Sequence, residues 1–260
     1  MNLFVAPFVN ALFGFYYLFG NLAISIILVT LLIRFLLLPL LLPSLKSSRK
    51  MQDLQPQLKK LNDQYGKDKT ALATAQMALY KREGINPLSG CLPNILQLAV
   101  LMIFFSAFNM VSGFAEGKIE RDKINQQLMP SFQVKEDFKI NDEFFGIRLS
   151  ETPIKIFRNG VSIDWLLPLI LLLGSAGLQY FTAKLMLPTS APKDTAYTKE
   201  TPGKEDDMMA VMRTQSLYMM PMMTLFIGLN FSLGVLLYWF VNSSFILGQQ
   251  KIVLKSPNGQ

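Results

Sequence analysis

The segment from Asn21 to Leu42 reads NLAISIILVTLLIRFLLLPLLL and carries one charged side chain, Arg34. About twenty apolar residues at a rise of about 1.5 Å each cross a hydrocarbon core of roughly 30 Å, so the segment predicts a membrane-spanning helix. Arg34 lies about 12 Å along the helix axis from Leu42, which is further than an arginine side chain comfortably reaches. A guanidinium at that depth costs at least about 2.5 to 3.5 kcal/mol, so Arg34 is expected to face water or protein rather than lipid.

The composition of the whole chain is that of a polytopic membrane protein. Of its 260 residues 51% are apolar, and these are gathered in blocks with most charges between them. There is no histidine, and Cys91 is the only cysteine. Ser-His-Asp chemistry, Cys-His chemistry, ordinary zinc sites and an intrachain disulfide are thereby excluded. The sequence also lacks a GxxxxGK[ST] phosphate loop, so we predict a protein that is not an enzyme and has no metal or cofactor.

Residues 1–20 carry no charged side chain, and their large apolar residues recur at spacings of three and four: Phe4, Phe8, Leu12, Phe15 and Phe19. This pattern predicts a short N-terminal interfacial helix that leads into the first span, residues 21–43. A signal peptide is the alternative interpretation. The missing basic n-region and the missing small-x-small cleavage site argue against it.

A basic segment, residues 44–87, follows the first span. It carries nine Lys/Arg and four Asp/Glu, a net charge of nine minus four, or +5, so the positive-inside rule places it in the cytoplasm. Apolar residues at helical spacing occur on either side of Gly66, which predicts an antiparallel helical hairpin whose first arm is kinked or restarted at Pro56. The candidate recruitment cations of this hairpin are Lys46, Arg49, Lys50, Lys59, Lys60, Lys81 and Arg82.

Four further spans are predicted, at residues 88–110, 164–187, 216–229 and 232–250. The segments between and after them are an extracytoplasmic loop (111–163), a flexible cytoplasmic loop (188–215) and a cytoplasmic tail (251–260), with the N-terminus outside. In the extracytoplasmic loop, residues 144–147 and 154–157 are either short strands or interfacial patches. The sequence does not distinguish the two.

The predicted spans contain no acidic residue in their interiors, so Arg34 has no anionic partner there. Their polar residues either line a groove with Arg34 or hydrogen-bond between helices, and they are Gln97, Gln179, Asn242, Ser243 and Ser244. Tyr238 and Trp239 are assigned to an interface belt or to packing. The methionines from Met208 to Met223 suit either contacts with varied apolar partners or core filling.

Three stretches carry a family resemblance. They are PSLKSSRKMQDLQPQLKKLNDQYGKDK after the Arg34 span, LYKREGINPLSGCLPNILQ at the second span, and MMPMMTLFIGLNFSLGVLLYWFVNSSFILGQQ over the last two spans. Together they resemble the YidC/Oxa family of membrane protein insertases, in the compact five-span bacterial form. The similarity covers the five spans and the basic hairpin, and it does not extend to the loop 111–163.

The resemblance implies an all-α membrane protein with five transmembrane helices around a hydrophilic groove that is open to cytoplasm and lipid. Arg34 matches the arginine that keeps this groove wet, and the groove candidates beside it are Gln97, Gln179, Asn242 and Ser243. Such a protein binds short hydrophilic tails or loops of nascent membrane proteins and releases their transmembrane segments into the lipid of the plasma membrane. Sequence-specific nucleic acid binding is not expected.

The basic hairpin has several interpretations. A solvated face near anionic lipid is one, worth on the order of 1 kcal/mol per cation near the surface. Reception of clients, or contact with the ribosome or the secretory translocon, are the others.

Two other functions fit the same residues. A small anion channel or transporter would use Arg34 as an anion site, and it predicts solute flux through a pore open on both sides. A scaffold for the assembly of membrane complexes predicts stable partners and no insertion by the purified chain.

Overall fold

The computed structural model describes residues 3–66, 68–84, 92–186 and 215–255. In this part of the chain the α-helices are α1 (Val5–Phe19), α2 (Leu22–Asp53), α3 (Gln55–Tyr65), α4 (Lys69–Arg82), α5 (Leu92–Ala115), α6 (Arg121–Asn125), α7 (Pro153–Arg158), α8 (Leu166–Met186), α9 (Met220–Gly228) and α10 (Leu233–Lys255). Short 3₁₀ turns occur at Pro130–Phe132 and Ile163–Trp165, and a π-helical turn, Gln215–Met219, precedes α9. The strands β1 (Glu143–Phe144) and β2 (Ile147–Arg148) form one antiparallel pair.

A sharp turn separates α1 from α2. Gly20 ends α1 with φ of 67°, in the left-handed region that glycine adopts without a Cβ clash. Asn21 then caps α2, because its side-chain oxygen accepts hydrogen bonds from the backbone N–H groups of Ala23 and Ile24. The turn lets α1 fold back against α2 and α5, with Val9 among its buried residues.

Helix α2 is longer than the predicted span. It continues through Pro39 and Pro43 to Asp53, so the first arm of the basic hairpin starts as a continuation of the span rather than after a break at residue 43. The helix ends only at Leu54, and Pro56 stands in the first turn of α3, where its missing N–H costs nothing. The predicted restart at Pro56 therefore corresponds to the observed junction.

The hairpin helices α3 and α4 pack on each other. Asp68 caps α4 by accepting hydrogen bonds from the N–H groups of Thr70 and Ala71, both at 3.0 Å. The apolar contacts between the arms form a small cluster of three buried leucines, Leu54, Leu58 and Leu79. We call residues 54–84 the hairpin.

The helical bundle has one main core. Helix α10 packs on α8 and α2, α9 packs on α8, and α1 packs on α2 and α5. Close approach between α10 and α5 depends on Gly234, since a Cβ there would lie 2.2 Å from the ring of Phe108. Within the described residues, three helical segments are long and apolar enough to cross a membrane: Leu22–Asp53, Ile95–Ala115 and Ile163–Met186.

The predicted all-α membrane fold is confirmed, and the count of five spans stays a prediction. Helix α10 is 23 residues long but includes Asn242, Ser243 and Gln250, and α9 has nine residues. The predicted second span continues five residues beyond Met110, to Ala115. The start of that span, Cys91, most of the loop 188–215, Met208 to Met212 and the end of the tail lie outside the described residues.

Residues 116–163, which we call the cap, are folded. Strand β1 pairs with β2, with Glu143 opposite Arg148 and Phe144 opposite Ile147. Residues 144–147 therefore form the tight turn between two short antiparallel strands. Residues 154–157 belong to helix α7, so the strand interpretation is wrong for them. Asp142 is buried and accepts a hydrogen bond from the Ser150 hydroxyl at 3.2 Å.

The cap is joined to the bundle by hydrogen bonds over long sequence separations. The side chain of Asn10 on α1 donates to Gln127 O (2.7 Å) and accepts from Met129 N–H (2.6 Å). The Tyr16 hydroxyl accepts from Asn141 N–H at 2.6 Å. At the start of α10, Leu233 N–H and Gly234 N–H donate to cap carbonyls at 2.8 and 2.9 Å. The cap is therefore hydrogen-bonded to α1 and to the start of α10, at one end of the bundle.

Candidate functional site

The charged residue of α2 lies among polar residues of two other helices. Arg34 is 6% exposed. Its Nε donates to Oδ1 of Asn242 on α10 at 2.5 Å, and its Nη2 donates to Oε1 of Gln97 on α5. Three helices thus bring together a cation and two amides that are separated by up to 208 residues in the sequence.

Tyr238 extends this cluster. Gln97 Nε2 donates to the Tyr238 hydroxyl oxygen at 3.4 Å, and the Tyr238 ring stacks on Phe104 with centroids 4.2 Å apart. The sequence interpretation of Tyr238 as interface or packing missed its polar contact. The available signal was its position four residues before Asn242 on one helix, since residues four apart share a face.

The cluster is a cation solvated by neutral groups. Within the described ranges, no carboxylate lies within ion-pair distance of Arg34. Hydrogen bonds to a charged group contribute about 1.5 to 3 kcal/mol each. Two of them are of the same order as the roughly 2.5 to 3.5 kcal/mol that a guanidinium costs at the centre of a span. Amides of the bundle therefore offset much of the desolvation of Arg34.

A narrow recess lies beside this cluster, with a volume of about 10 Å³, which is about the space for one water molecule. On α2 its walls run from Thr30 to Leu41, and on α5 from Pro93 to Val100, while α10 contributes Tyr238 and Asn242. Helix α5 is described from Leu92, so Pro93 lies at its beginning, toward the hairpin. The recess thus extends from Arg34 mainly toward the end of the bundle that carries the basic hairpin.

Three of the polar residues considered for the groove do not line this recess. Gln179 on α8 accepts a hydrogen bond from the Thr224 hydroxyl of α9 at 2.9 Å. Ser243 is buried at 5% exposure on α10, next to Asn242 in sequence. Ser244 donates to the Phe240 carbonyl of its own helix at 2.8 Å. The structure thus brings Arg34, Gln97 and Asn242 together and places Gln179 in a separate contact between α8 and α9.

Most of the predicted recruitment cations are exposed: Lys46, Lys50, Lys60, Lys81 and Arg82. The side chain of Lys59 lies outside the described part of the molecule. Arg49 differs from the others, because its Nη1 donates to Val253 O near the end of α10 at 2.8 Å. Beside it, Gln52 donates to the carbonyls of Leu185 and Met186 at 3.2 and 2.5 Å. Arg49 and Gln52 thus connect the end of α2 to α10 and α8.

The methionines of α9 and of the turn before it do not fill the core of the described bundle. Met219, Met220, Met222 and Met223 are between 44% and 61% exposed. Core filling is therefore wrong for these four residues. They present an apolar, adaptable surface to the bundle exterior.

The fold and the site define a membrane-integral helical protein. Its bundle holds an arginine that is hydrogen-bonded to neutral amide side chains. The model of the 60Kd inner membrane protein family matches residues 14–259. The chain belongs to this family, the YidC/Oxa family.

Two curated relatives illustrate the match. The chain is 30% identical over 236 residues to a protein of Streptomyces avermitilis named membrane protein insertase YidC. The matched part is 90% of this chain and 51% of the relative. A protein of Rickettsia africae with the same name is 30% identical over 249 residues, 96% of this chain and 38% of the relative. The chain thus spans about half or less of the length of these relatives.

A solved structure has the same fold. It is described as an active YidC insertase crystal structure with the first transmembrane domain resolved, and it matches with a TM-score of 0.57 at 23% identity. The match covers 98% of this chain and 46% of the other. At this identity the likeness concerns the fold.

Proposed function

We propose that this protein is a membrane protein insertase and chaperone. It receives a short hydrophilic tail or loop of a nascent membrane protein in the recess beside Arg34, and it releases the client's apolar helix into lipid. The hairpin faces the cytoplasm and the N-terminus lies outside, in the plasma membrane. The clients are nascent membrane proteins. The exposed cations at the end of α2 and in the hairpin attract these clients or the anionic lipid surface.

The observation that carries the proposal is the position of the cation in the recess. Arg34 is four residues from Thr30 and seven from Leu41, the two limits of the recess on α2, so the longer part of the recess lies on the hairpin side. A polar tail that enters from the hairpin side would meet Arg34 after about 10 Å of helix rise. The guanidinium of Arg34 is therefore placed to bind a carboxylate of the tail inside the bilayer.

The guanidinium is suited to this task because part of its hydrogen-bonding capacity is left over. It carries five N–H groups, and the bonds to Gln97 and Asn242 account for two of them. A carboxylate in the recess would add a charge-assisted bond at reduced dielectric. No covalent chemistry is involved.

Release of the client is driven by its own hydrophobicity. A methylene transferred from water to lipid contributes about 0.8 kcal/mol, so an apolar helix of ordinary length leaves the recess without an input of nucleotide energy.

The proposal is tested by reconstitution of the purified chain in liposomes with a single-span client. Protease protection of the client tail reports insertion. We expect Arg34→Ala to reduce insertion of a client with acidic residues in its tail about tenfold, the equivalent of about 1.4 kcal/mol. Arg34→Lys should retain an intermediate level, because it keeps the charge but loses the planar fork that bonds two amides.

A client with a neutral tail is the matched control. Arg34→Ala should affect it less, since it lacks the electrostatic contact. Equal loss for both tails would contradict the electrostatic role. A channel or transporter would instead show anion flux without client insertion, and a scaffold would show neither flux nor insertion.

A further inference from the structure

The β-turn of the cap has an unusual residue at its tip. Residues Phe145 and Gly146 connect β1 to β2, and both have positive φ, at 51° and 78°. This two-residue turn favours Asn, Asp or Gly at its first position, because the left-handed region crowds a Cβ. Phe145 is the only residue other than glycine with positive φ in the described chain.

The same residue is exposed. Phe145 is 82% exposed, whereas its neighbour Phe144 packs against the main core and Ile147, across the strand pair, is 9% exposed. The Phe145 ring lies against the Phe144 ring, with centroids 4.5 Å apart, but most of its surface faces away from the core, on a backbone conformation that is strained for a large side chain. Such features are retained where the ring has a task outside the folded chain.

The position of the turn indicates what the ring meets. Asn21, the capping residue of α2, donates from Nδ2 to Glu143 O at 3.1 Å, and Leu22 N–H donates to Asn141 O at 3.2 Å. The strand pair of β1 and β2 is thus hydrogen-bonded directly to the first residues of α2. The tip therefore lies beside the first turn of α2, at the end of that helix opposite the basic hairpin.

Apolar exposure at this end is continuous with the span. Leu18 and Phe19, the last residues of α1, are 74% and 53% exposed, and Ile24 in the first turn of α2 is 38% exposed. Helix α2 is long and apolar enough to cross a membrane, so the bilayer is the apolar phase expected beside this level of the molecule. Aromatic side chains are enriched at this depth of membrane proteins.

We propose that Phe145 is a lipid anchor: the turn between β1 and β2 places its ring in the interfacial layer of the bilayer and thereby holds the cap against the membrane surface. The occupant of this surface is lipid, not a client or a second copy of the chain. The inference concerns the cap and is independent of insertase activity.

The test is a depth measurement with a spin label on the full chain in nanodiscs of phosphatidylcholine and phosphatidylglycerol. Phe145→Cys in a Cys91→Ser background carries the label, and accessibility to oxygen is compared with accessibility to a water-soluble nickel complex. Asp122→Cys is the control, because Asp122 is an exposed cap residue with a side chain 81% accessible. We expect oxygen to be the better relaxing agent at residue 145 and the nickel complex at residue 122.

Two results would overturn the proposal. A label at residue 145 as accessible to nickel as the one at residue 122 would place the ring in water. A label that neither agent reaches would show that protein, such as a second copy, covers it.

Discussion

The two ends of the bundle are built differently. The cap is bonded to α1, α2 and α10 through buried polar groups, such as Asn10 and Tyr16, that find partners more than a hundred residues away. The hairpin at the other end depends on a cluster of three leucines between its own arms, and the described contacts of α4 are chiefly with α3. One end is hydrogen-bonded to several helices of the bundle, while the described contacts of the other are chiefly internal.

This difference suits the proposed function. The cap is hydrogen-bonded to α1, α2 and α10 at the end of the bundle opposite to the side toward which the recess extends. In the described residues the hairpin contacts chiefly α2 and itself. The expected losses of bundle stability decrease from Asn10→Ala through Arg49→Ala to Leu58→Ala.

The largest loss of stability is expected for Asn10→Ala. The change removes a buried side chain that accepts from Met129 N–H and donates to Gln127 O, at a cost of about 1 kcal/mol for each of the two bonds. The thermal midpoint of the whole bundle in detergent should fall. Asn159→Ala, an exposed asparagine of the cap, is the control and should leave the midpoint unchanged. An unchanged midpoint for Asn10→Ala would mean that the cap is not bonded to the bundle as described.

A smaller loss is expected for Arg49→Ala. Arg49 connects α2 to the Val253 carbonyl of α10, and one such contact contributes about 1 kcal/mol. The neighbouring Lys50 is exposed, so Lys50→Ala is a closely matched control of the same charge. If the two variants lower the thermal midpoint equally, Arg49 acts only as one more surface cation.

The smallest effect on the bundle is expected for Leu58→Ala. Loss of a buried leucine costs about 2 to 5 kcal/mol, but here the loss falls on the hairpin alone. Amide hydrogen exchange should become faster in α3 and α4 while protection in α5 and α10 stays the same. Leu61→Ala, a half-buried leucine of the same helix, should show a weaker form of the same pattern. Faster exchange throughout the bundle would contradict the independence of the hairpin.

The sequence was informative wherever a local pattern decided the structure. The Arg34 span and the restart at Pro56 depend on neighbours within a few positions. The end of α2 was predicted ten residues too early, because the charges after residue 43 mark the limit of the hydrocarbon layer but do not end a helix. A helix ends where hydrogen bonding or packing changes, here at Leu54.

Contacts between distant segments were beyond the sequence. Polar residues in apolar spans indicated Gln97 and Asn242, but the same criterion indicated Gln179, which bonds Thr224 instead. Polarity shows that a residue needs a partner, whereas helix rotation decides which partner it meets. For the same reason the contacts of Asn10 with the cap, 117 residues away, left no local signal.

The most direct measurement is site-specific photo-crosslinking from α5 to a stalled single-span client in membranes. Leu96 lines the recess, and Leu98, two residues on, is 60% exposed and does not. With a photoreactive residue at 96 we expect crosslinks to the client's hydrophilic tail, and with one at 98 crosslinks to lipid or to the client's apolar helix. Tail crosslinks of equal yield from both positions, or none from position 96, would contradict a recess that receives the tail beside Arg34.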